Sequence, residues 1–115
     1  MKFSIIIPTY NRDEHLKNCL ISILNQRKMP FEILVVDNAR STETQKIISN
    51  IKSNFQKRKI PIYYLRNNEN SGATARNLGA FKAKGDLIAF LDDDVILDSN
   101  YYYEIEKVFL KYPGV

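Results

Sequence analysis

Four short apolar runs, each followed by a segment with helical spacing, constrain the fold of this 115-residue chain more than any other feature. The runs are residues 3–7, 31–36, 60–65 and 87–91. In the segments that follow them, apolar residues recur three and four positions apart, which is the period of an amphipathic helix. Strands that are apolar throughout and alternate with helices are typical of a parallel sheet covered by helices on both faces. The sequence therefore predicts one α/β domain over residues 1–115.

The fourth run and the helix before it carry the most detailed structural expectations. We expect residues 87–91 to be buried on both faces, because the run contains no polar residue. The helix predicted over residues 73–83 is expected to direct Leu78 and Phe81 inward. Gly85 follows this helix, and glycine fits the left-handed conformation with which many helices end.

The composition excludes several classes of protein. The chain is 44% hydrophobic and 26% charged, which is typical of a folded domain. No apolar run has the length of about 20 residues that a membrane-spanning helix needs, and the first eight residues are too short for a signal peptide. A single cysteine, Cys19, suits a reducing compartment and is predicted to be a core residue on the first helix. We therefore expect a cytoplasmic protein, with the inner face of the membrane as the alternative location.

The basic residues cluster once in this chain of formal net charge +4, at Lys52, Lys57, Arg58 and Lys59. A solvated helix end and loop is the default interpretation of the cluster. Attraction to phosphorylated ligands, or to anionic lipid with peripheral membrane association, is the alternative. Nucleic-acid binding is not expected, because aromatic and basic residues are not interleaved and the sequence has no nucleic-acid motif.

Three consecutive aspartates, Asp92, Asp93 and Asp94, follow the fourth run. In an extended chain Asp92 and Asp94 point to one side and Asp93 to the other. Two carboxylates on one side repel each other, and a divalent cation such as Mg²⁺ or Mn²⁺ removes that repulsion. A solvated acidic turn remains the other interpretation of these three residues alone. An EF-hand calcium loop is excluded, because its sixth and twelfth positions would be Leu97 and Tyr103.

Polar segments follow three of the four runs, at residues 9–12, 37–41 and 92–94. The carboxyl ends of parallel strands meet at one edge of the sheet, where open α/β folds bind ligands. The helix start at residues 71–76 can fold over the same edge. Together these segments supply hydroxyls, a carboxylate–amide pair, an arginine and a metal site, which is the set that a nucleoside diphosphate needs. The glycine motifs of dinucleotide-binding and P-loop proteins are absent from the sequence.

Four motifs carry a family resemblance. They are Ser-Ile-Ile-Ile-Pro-Thr-Tyr-Asn-Arg at residues 4–12, Ile-Leu-Val-Val-Asp-Asn at 33–38, Asn-Ser-Gly-Ala-Thr-Ala-Arg-Asn-Leu-Gly-Ala at 70–80 and Phe-Leu-Asp-Asp-Asp at 90–94. Each motif is weak alone, but together and in this order they are specific. The chain resembles the family 2 glycosyltransferases of the GT-A fold, a Rossmann-like α/β/α sandwich with a mostly parallel central sheet.

The resemblance implies an inverting transferase that moves a sugar from a nucleotide-diphosphate donor to a glycan or lipid-linked acceptor, in polysaccharide or glycoconjugate synthesis. The donor-binding residues that it implies are Pro8, Thr9, Tyr10, Arg12, Asp37, Asn38 and Arg76. It further implies that Asp94 is a direct ligand of Mn²⁺ or Mg²⁺, that Asp92 lies toward the ribose and metal-bound water, and that Asp93 contacts ribose or sugar. Many members carry an acid in place of Asn38, so UDP-sugars and dTDP-rhamnose-like donors both remain open.

Length is the main departure from the family. Its members continue for at least about a hundred further residues, which form the acceptor half and carry the general base. We therefore expect residues 1–115 to be a truncated, donor-binding half with no catalytic base of its own. Apolar surface left uncovered by the other half would favour self-association, for example as a homodimer.

Two other functions are alternatives to a transferase. The first is a nucleotide-binding fragment without catalytic activity, which the sequence does not separate from an enzyme. The second is a phosphoacceptor or phosphatase-like domain that uses the aspartates. Such domains place the key aspartate at the end of the first strand, where this chain has Pro8 and Thr9.

Overall fold

The computed structural model describes residues 2–39, 42–68 and 71–112, and within them strands and helices alternate. The elements are β1 (Phe3–Thr9), α1 (Asp13–Leu24), β2 (Glu32–Asp37), α2 (Thr42–Gln56), β3 (Ile62–Arg66), α3 (Gly72–Lys82), β4 (Leu87–Phe90) and α4 (Tyr101–Lys111). The strands form one parallel sheet in the order β3-β2-β1-β4. The predicted α/β architecture is confirmed. Asn70, which opens the third motif, lies outside the described residues.

The register of the strands determines which residues of the polar segments lie side by side at the carboxyl edge of the sheet. Thr9 at the end of β1 lies opposite Asp37 at the end of β2. On the other side of β1, the last paired residue of β4 is Phe90, which lies opposite Ile6. Because β4 stops three residues below the end of β1, the three aspartates that follow it run alongside the tip of β1.

Helices cover both faces of the sheet, as the apolar runs predict. The larger core lies under α1, α2 and the start of α4, and its largest buried side chains include Phe55, Ile5 and Leu16. The smaller core lies under α3 and consists of Ile6, Leu34, Val36 and Ala75. In the described part of the chain, no helix combines the length and the apolar character that crossing a membrane requires.

The expectation that the fourth strand is buried on both faces is wrong. Ile88 is 39% exposed and Phe90 is 50% exposed, while their neighbours in β4 are half-buried. β4 pairs with β1 alone among the described strands, and α3 packs over β1 and β2 instead. An apolar run without alternation therefore belongs here to an edge strand with one uncovered face.

The expectation that Phe81 points inward is also wrong, since this side chain is 82% exposed. The residues that α3 buries are Ala75 and Gly79, and Leu78 is half-buried. A methyl group built on Gly79 would overlap the Ile6 side chain, so the helix backbone lies directly against β1. Small residues thus determine which face of α3 meets the sheet, and the large Phe81 is left on the outside.

Gly85 is required for a close approach and not for a left-handed helix end. No glycine among the described residues has a positive φ, and α3 ends at Ala83 in an extended conformation. A Cβ on Gly85 would lie 2.6 Å from Ser4 Oγ and 2.8 Å from the Ser4 backbone nitrogen. The Ser4 hydroxyl accepts a hydrogen bond from Gly85 N–H at 2.9 Å and donates one to buried Glu32 at 2.6 Å. These contacts fix the point at which the chain enters β4.

We expect Gly79→Ala to destabilise the protein by about 1–3 kcal/mol, because the added methyl overpacks the buried Ile6 side chain. This cost exceeds the gain of about 1 kcal/mol that alanine has over glycine in a helix. The free energy of unfolding from urea denaturation is the measurement. Gly72→Ala is the control in the same helix, since its Cβ would meet only the mobile end of Arg76, at 3.3 Å. Equal stability of the two variants would contradict the packing argument.

Candidate functional site

The first polar segment turns sharply after β1. Thr9 is the last strand residue and is buried, whereas Tyr10 is 49% exposed. Asn11 has a φ of 50°, a left-handed conformation that asparagine tolerates better than most residues. Arg12 then occupies the N-cap position of α1. The turn places the Arg12 guanidinium beside the aspartates that follow β4.

The aspartates are joined to the tip of β1 through Asp93. The Thr9 hydroxyl donates a hydrogen bond of 2.8 Å to Asp93 Oδ2, and Arg12 Nη1 lies 3.2 Å from Asp93 Oδ1. The same Arg12 nitrogen lies 3.4 Å from Asp94 Oδ2. The hydrogen bond to Asp93 and the charges of Asp93 and Asp94 raise the pKa of Arg12. Asp93 is 5% exposed, and its two carboxylate oxygens hold the acidic turn, residues 92–94, against the end of β1.

Asp92 and Asp94 differ from Asp93 in facing the solvent. They lie on a turn and not on a continued strand, since Val95 N–H donates to the Asp92 carbonyl at 3.2 Å. Among the described residues, no group of three or more His, Cys, Asp or Glu side chains is placed to hold a metal ion by itself. One or two exposed carboxylates fit instead a Mg²⁺ or Mn²⁺ ion that shares its coordination with substrate phosphates and water.

The second polar segment is built around buried Asp37 at the end of β2. Asp37 Oδ1 accepts a hydrogen bond from Ala39 N–H at 2.9 Å, and Oδ2 accepts one from the Tyr64 hydroxyl at 2.6 Å. Asn38 N–H donates to the Thr9 carbonyl at 2.9 Å, which continues the pairing of β1 and β2 into the loops. The first and second segments therefore form one continuous edge.

Asn67 is a site residue that the sequence reasoning missed. It follows β3, is 7% exposed, and its Nδ2 donates to Asn38 Oδ1 at 2.7 Å and to Thr74 Oγ1 at 2.9 Å. Asn67 thus connects the second segment with the start of α3. The rule that strand ends share an edge would have identified it, had it been applied to β3 as well as to the other three strands.

The third motif forms the start of α3. The Ser71 hydroxyl accepts a hydrogen bond from Thr74 N–H at 3.4 Å, so Ser71 caps the helix. The helix start presents a partial positive charge to the shared edge. Arg76 is exposed, and its guanidinium lies over Gly72 in the first turn of α3. The hydrogen bonds of the described residues join the other segments to each other but do not join Arg76 to the aspartates.

Pro8 and Cys19 are the remaining residues that the sequence singles out. Pro8 is half-buried within β1, opposite Val36. Cys19 is fully buried, and its Sγ lies 3.8 Å from the Asp92 carbonyl oxygen, so the prediction of a core residue is confirmed. Burial, and then the charges of Asp93 and Asp94, raise the pKa of the Cys19 thiol to about 12. Cys19 therefore packs against the backbone of Asp92 as a neutral thiol.

We expect Asp93→Ala to lower the free energy of unfolding by about 1–3 kcal/mol, because it leaves the buried Thr9 hydroxyl without its acceptor. Asp92→Ala is the matched control at an exposed position and should change stability by less than about 0.5 kcal/mol. Urea denaturation of both variants is the measurement. In a Thr9→Val background the cost of Asp93→Ala should shrink, and an undiminished cost would show that the Thr9 contact is not responsible.

The raised pKa of Cys19 predicts a loss of stability at alkaline pH. The folded protein keeps the thiol proton more tightly than the unfolded chain, so this contribution is complete below pH 9.0 and declines as pH rises toward about 12. The decline attributable to Cys19 is at most about 1.4 kcal/mol per pH unit. Denaturation curves across this range should therefore fall less steeply for Cys19→Ala than for the unsubstituted protein. Parallel curves would contradict the assignment.

The model of the family described as glycosyl transferase family 2 matches residues 4–114. A Campylobacter jejuni protein named GalNAc(5)-diNAcBac-PP-undecaprenol beta-1,3-glucosyltransferase is 35% identical over 94 residues, which are 81% of this chain and 29% of that protein. The Staphylococcus aureus poly(ribitol-phosphate) beta-N-acetylglucosaminyltransferase TarS is 31% identical over 96 residues, or 82% of this chain and 16% of TarS. The chain spans between 14% and 38% of the lengths of the curated relatives that it matches.

Solved structures give the same result for the fold. Residues 1–349 of S. aureus TarS superpose with a TM-score of 0.82 at 25% identity, covering 98% of this chain and 33% of that one. A Pyrobaculum calidifontis mannosyltransferase, solved with GDP-Man and Mn²⁺, superposes with a TM-score of 0.81 at 20% identity, covering 94% of this chain and 32% of that one. The predicted GT-A fold is thereby confirmed.

Proposed function

Because this chain belongs to glycosyl transferase family 2, we propose that it binds the nucleotide-diphosphate sugar of an inverting glycosyltransferase. The observation that carries the proposal is the contact of Asp93 with Thr9 and Arg12, at 2.8 and 3.2 Å. This contact holds two exposed carboxylates, Asp92 and Asp94, next to the polar ends of β1 and β2. An edge of this kind offers a diphosphate a cation site and a nucleoside polar partners side by side.

The two exposed aspartates would hold Mn²⁺ or Mg²⁺ together with the donor's phosphates. Asp94 is assigned as the direct ligand and Asp92 as the residue that orients metal-bound water or ribose. When bound, the ion supplies positive charge that stabilises the leaving nucleoside diphosphate. The contact between Arg12 and Asp94 is the longer of the two that this guanidinium makes, at 3.4 Å, and its partner is half-exposed. Arg12 can therefore turn to a phosphate while it keeps Asp93.

The nucleoside would lie against the second polar segment and the exposed ring of Tyr10. Asp37 is positioned there by Tyr64, and Asn38 by Asn67. Because Asn38 Oδ1 already accepts a hydrogen bond from Asn67, its amide group is presented as a donor, which matches a carbonyl oxygen of a base. An acid at this position would instead accept from a base N–H, so Asn38 changes the polarity of recognition. UDP-sugars and dTDP-sugars both satisfy this arrangement.

Inversion requires one displacement, in which an acceptor hydroxyl attacks the anomeric carbon as the nucleoside diphosphate leaves. A general base must take the hydroxyl proton. The acids of the candidate site have other roles, since Asp37 and Asp93 are buried in hydrogen bonds and Asp92 and Asp94 serve the ion. We therefore assign donor binding to residues 1–115 and no base.

The relatives' names support a proposal for the acceptor class. One relative is named for a PP-undecaprenol-linked substrate and another for poly(ribitol-phosphate). A glycan or a lipid-linked saccharide is accordingly the proposed acceptor, and the cytoplasm, where nucleotide sugars are made, is the proposed location.

We expect UDP or dTDP to bind more tightly with Mn²⁺ than without it, and Asp94→Asn to remove at least about tenfold of that metal-dependent gain. Isothermal titration calorimetry with UDP, dTDP and GDP, each with and without Mn²⁺, is the measurement. Asp86→Asn is the matched control, because Asp86 is an exposed aspartate at the opposite end of β4.

Three results would each contradict part of this proposal. Nucleotide affinity that is the same with and without Mn²⁺ would remove the metal role of Asp94. An equal loss in Asp86→Asn and Asp94→Asn would show that general charge, and not the site, attracts the nucleotide. Rapid sugar transfer by residues 1–115 alone would contradict the assignment of donor binding without a general base.

A further inference from the structure

The edge of the sheet opposite the candidate site is strongly cationic. In a parallel α/β sheet the strands begin at this edge and the helices return to it, and here α2 and α3 both end there. We use the name basic edge for the exposed cationic residues at the ends of these two helices. They are Lys52, Lys57, Arg58, Lys59, Lys82 and Lys84.

The two halves of the basic edge form one continuous surface. Lys52 and Lys59 line a depression beside the start of β3, and Tyr63 lines it as well. Tyr63 also lines a neighbouring depression with Lys82 and Lys84. The exposed tyrosine ring therefore lies between the cations contributed by α2 and those contributed by α3.

The two depressions of the basic edge are lined by little negative charge. Among the described residues that line the two depressions, Glu32 is the one acid, and it is 2% exposed. Its Oε2 accepts hydrogen bonds of 2.6 Å from the Ser4 hydroxyl and from Lys84 N–H, so it does not face the lysines from the surface. Of the exposed aspartates that flank β4, Asp92 and Asp94 lie at the other edge, and Asp86 lies at the strand starts, on the same side of the sheet as the basic edge.

Exposed aromatic rings accompany the lysines. Phe81 is 82% exposed at the end of α3, and Lys82 Nζ lies 5.7 Å from the centre of its ring. Tyr63 is 44% exposed, and Phe31, just before β2, is 36% exposed with Lys2 Nζ 5.0 Å from its ring centre. Favourable interaction with the helix dipole explains a lysine at the end of α3 but not an exposed phenylalanine beside it.

We propose that the basic edge docks on an anionic lipid surface, with the lysines at the phosphate headgroups and Phe81 and Tyr63 in the interfacial layer. Lysines paired with exposed aromatic rings match a membrane interface, which offers anionic headgroups above an apolar layer. A soluble polyanion offers the charges without the apolar layer. In this orientation the candidate site faces the solvent, from which a nucleotide sugar arrives. The inference uses none of the residues of the proposed donor site and stands apart from the proposed function.

Co-sedimentation of the full chain with phosphatidylcholine vesicles, with and without phosphatidylglycerol, tests the proposal. Binding is expected only to the anionic vesicles and should weaken at high salt, where surface charges are screened. Lys52→Glu/Lys82→Glu should lower the partition coefficient at least about tenfold. The matched control is Lys17→Glu/Lys46→Glu, which also reverses two exposed helical lysines but leaves the basic edge intact. An equal loss in the two double variants would overturn the proposal, because it would show that net charge alone drives binding.

A tryptophan probe separates a lipid surface from a soluble polyanion. The chain has no tryptophan, so Phe81→Trp introduces a single reporter. Its fluorescence should shift to the blue with anionic vesicles and stay unchanged with inorganic polyphosphate. Tyr10→Trp, at the opposite edge and about half exposed, should show no shift with vesicles. Co-sedimentation without a shift of Phe81→Trp, or the same shift with polyphosphate, would refute docking on lipid.

Discussion

The hydrogen bond between the Thr9 hydroxyl and the buried Asp93 carboxylate is the contact on which the rest of the candidate site depends. It joins the end of β1 to the turn after β4 across 84 residues of sequence. A buried carboxylate is unfavourable unless its oxygens are paired, and here the second oxygen is paired with Arg12. The cost of burying Asp93 is therefore offset only when the acidic turn sits at the tip of β1. That position in turn leaves Asp92 and Asp94 in the solvent.

Hydrogen bonds between polar groups also position the remaining loops. The carbonyl of Thr9 accepts from Asn38, whose side chain is bonded to Asn67. Asn67 reaches Thr74 at the start of α3. A chain of contacts therefore runs from the acidic turn through the ends of β1, β2 and β3 to the third motif. Such a preorganised edge would have little conformational entropy left to lose on binding the proposed donor.

Much of this arrangement could be predicted from the sequence. Continuous apolar runs separated by amphipathic segments predict a parallel α/β sheet, and the strand-end rule then brings residues 9–12, 37–39 and 92–94 together, while residues 40 and 41 of the second segment lie outside the described residues. The sequence also predicts that Asp92 and Asp94 share one side and Asp93 the other, but these residues lie on a turn, so the pattern does not arise from an extended strand.

Other features depend on long-range packing that no local pattern contains. The exposure of Phe90 depends on strand order, because an apolar run does not reveal that its strand lies at an edge. Phe81 is exposed because the contact of Gly79 with Ile6 determines the buried face of α3. Gly85 is needed because Ser4 lies against it, 81 residues away in sequence. The pairing of Asp93 with Thr9 is likewise visible only once β4 is known to lie beside β1.

The uncovered side of β4 has a consequence for how the protein behaves in concentrated solution. An edge strand presents a ladder of backbone N–H and C=O groups, and the described residues place no charged side chain within Leu87–Phe90 to discourage pairing there. The protruding rings and branched chains of Phe90 and Ile88 would add apolar contact to any strand that joined the sheet. The free edge of β4 can therefore accept another strand. A strand from the same polypeptide would extend the sheet, whereas a strand from another molecule would start aggregation.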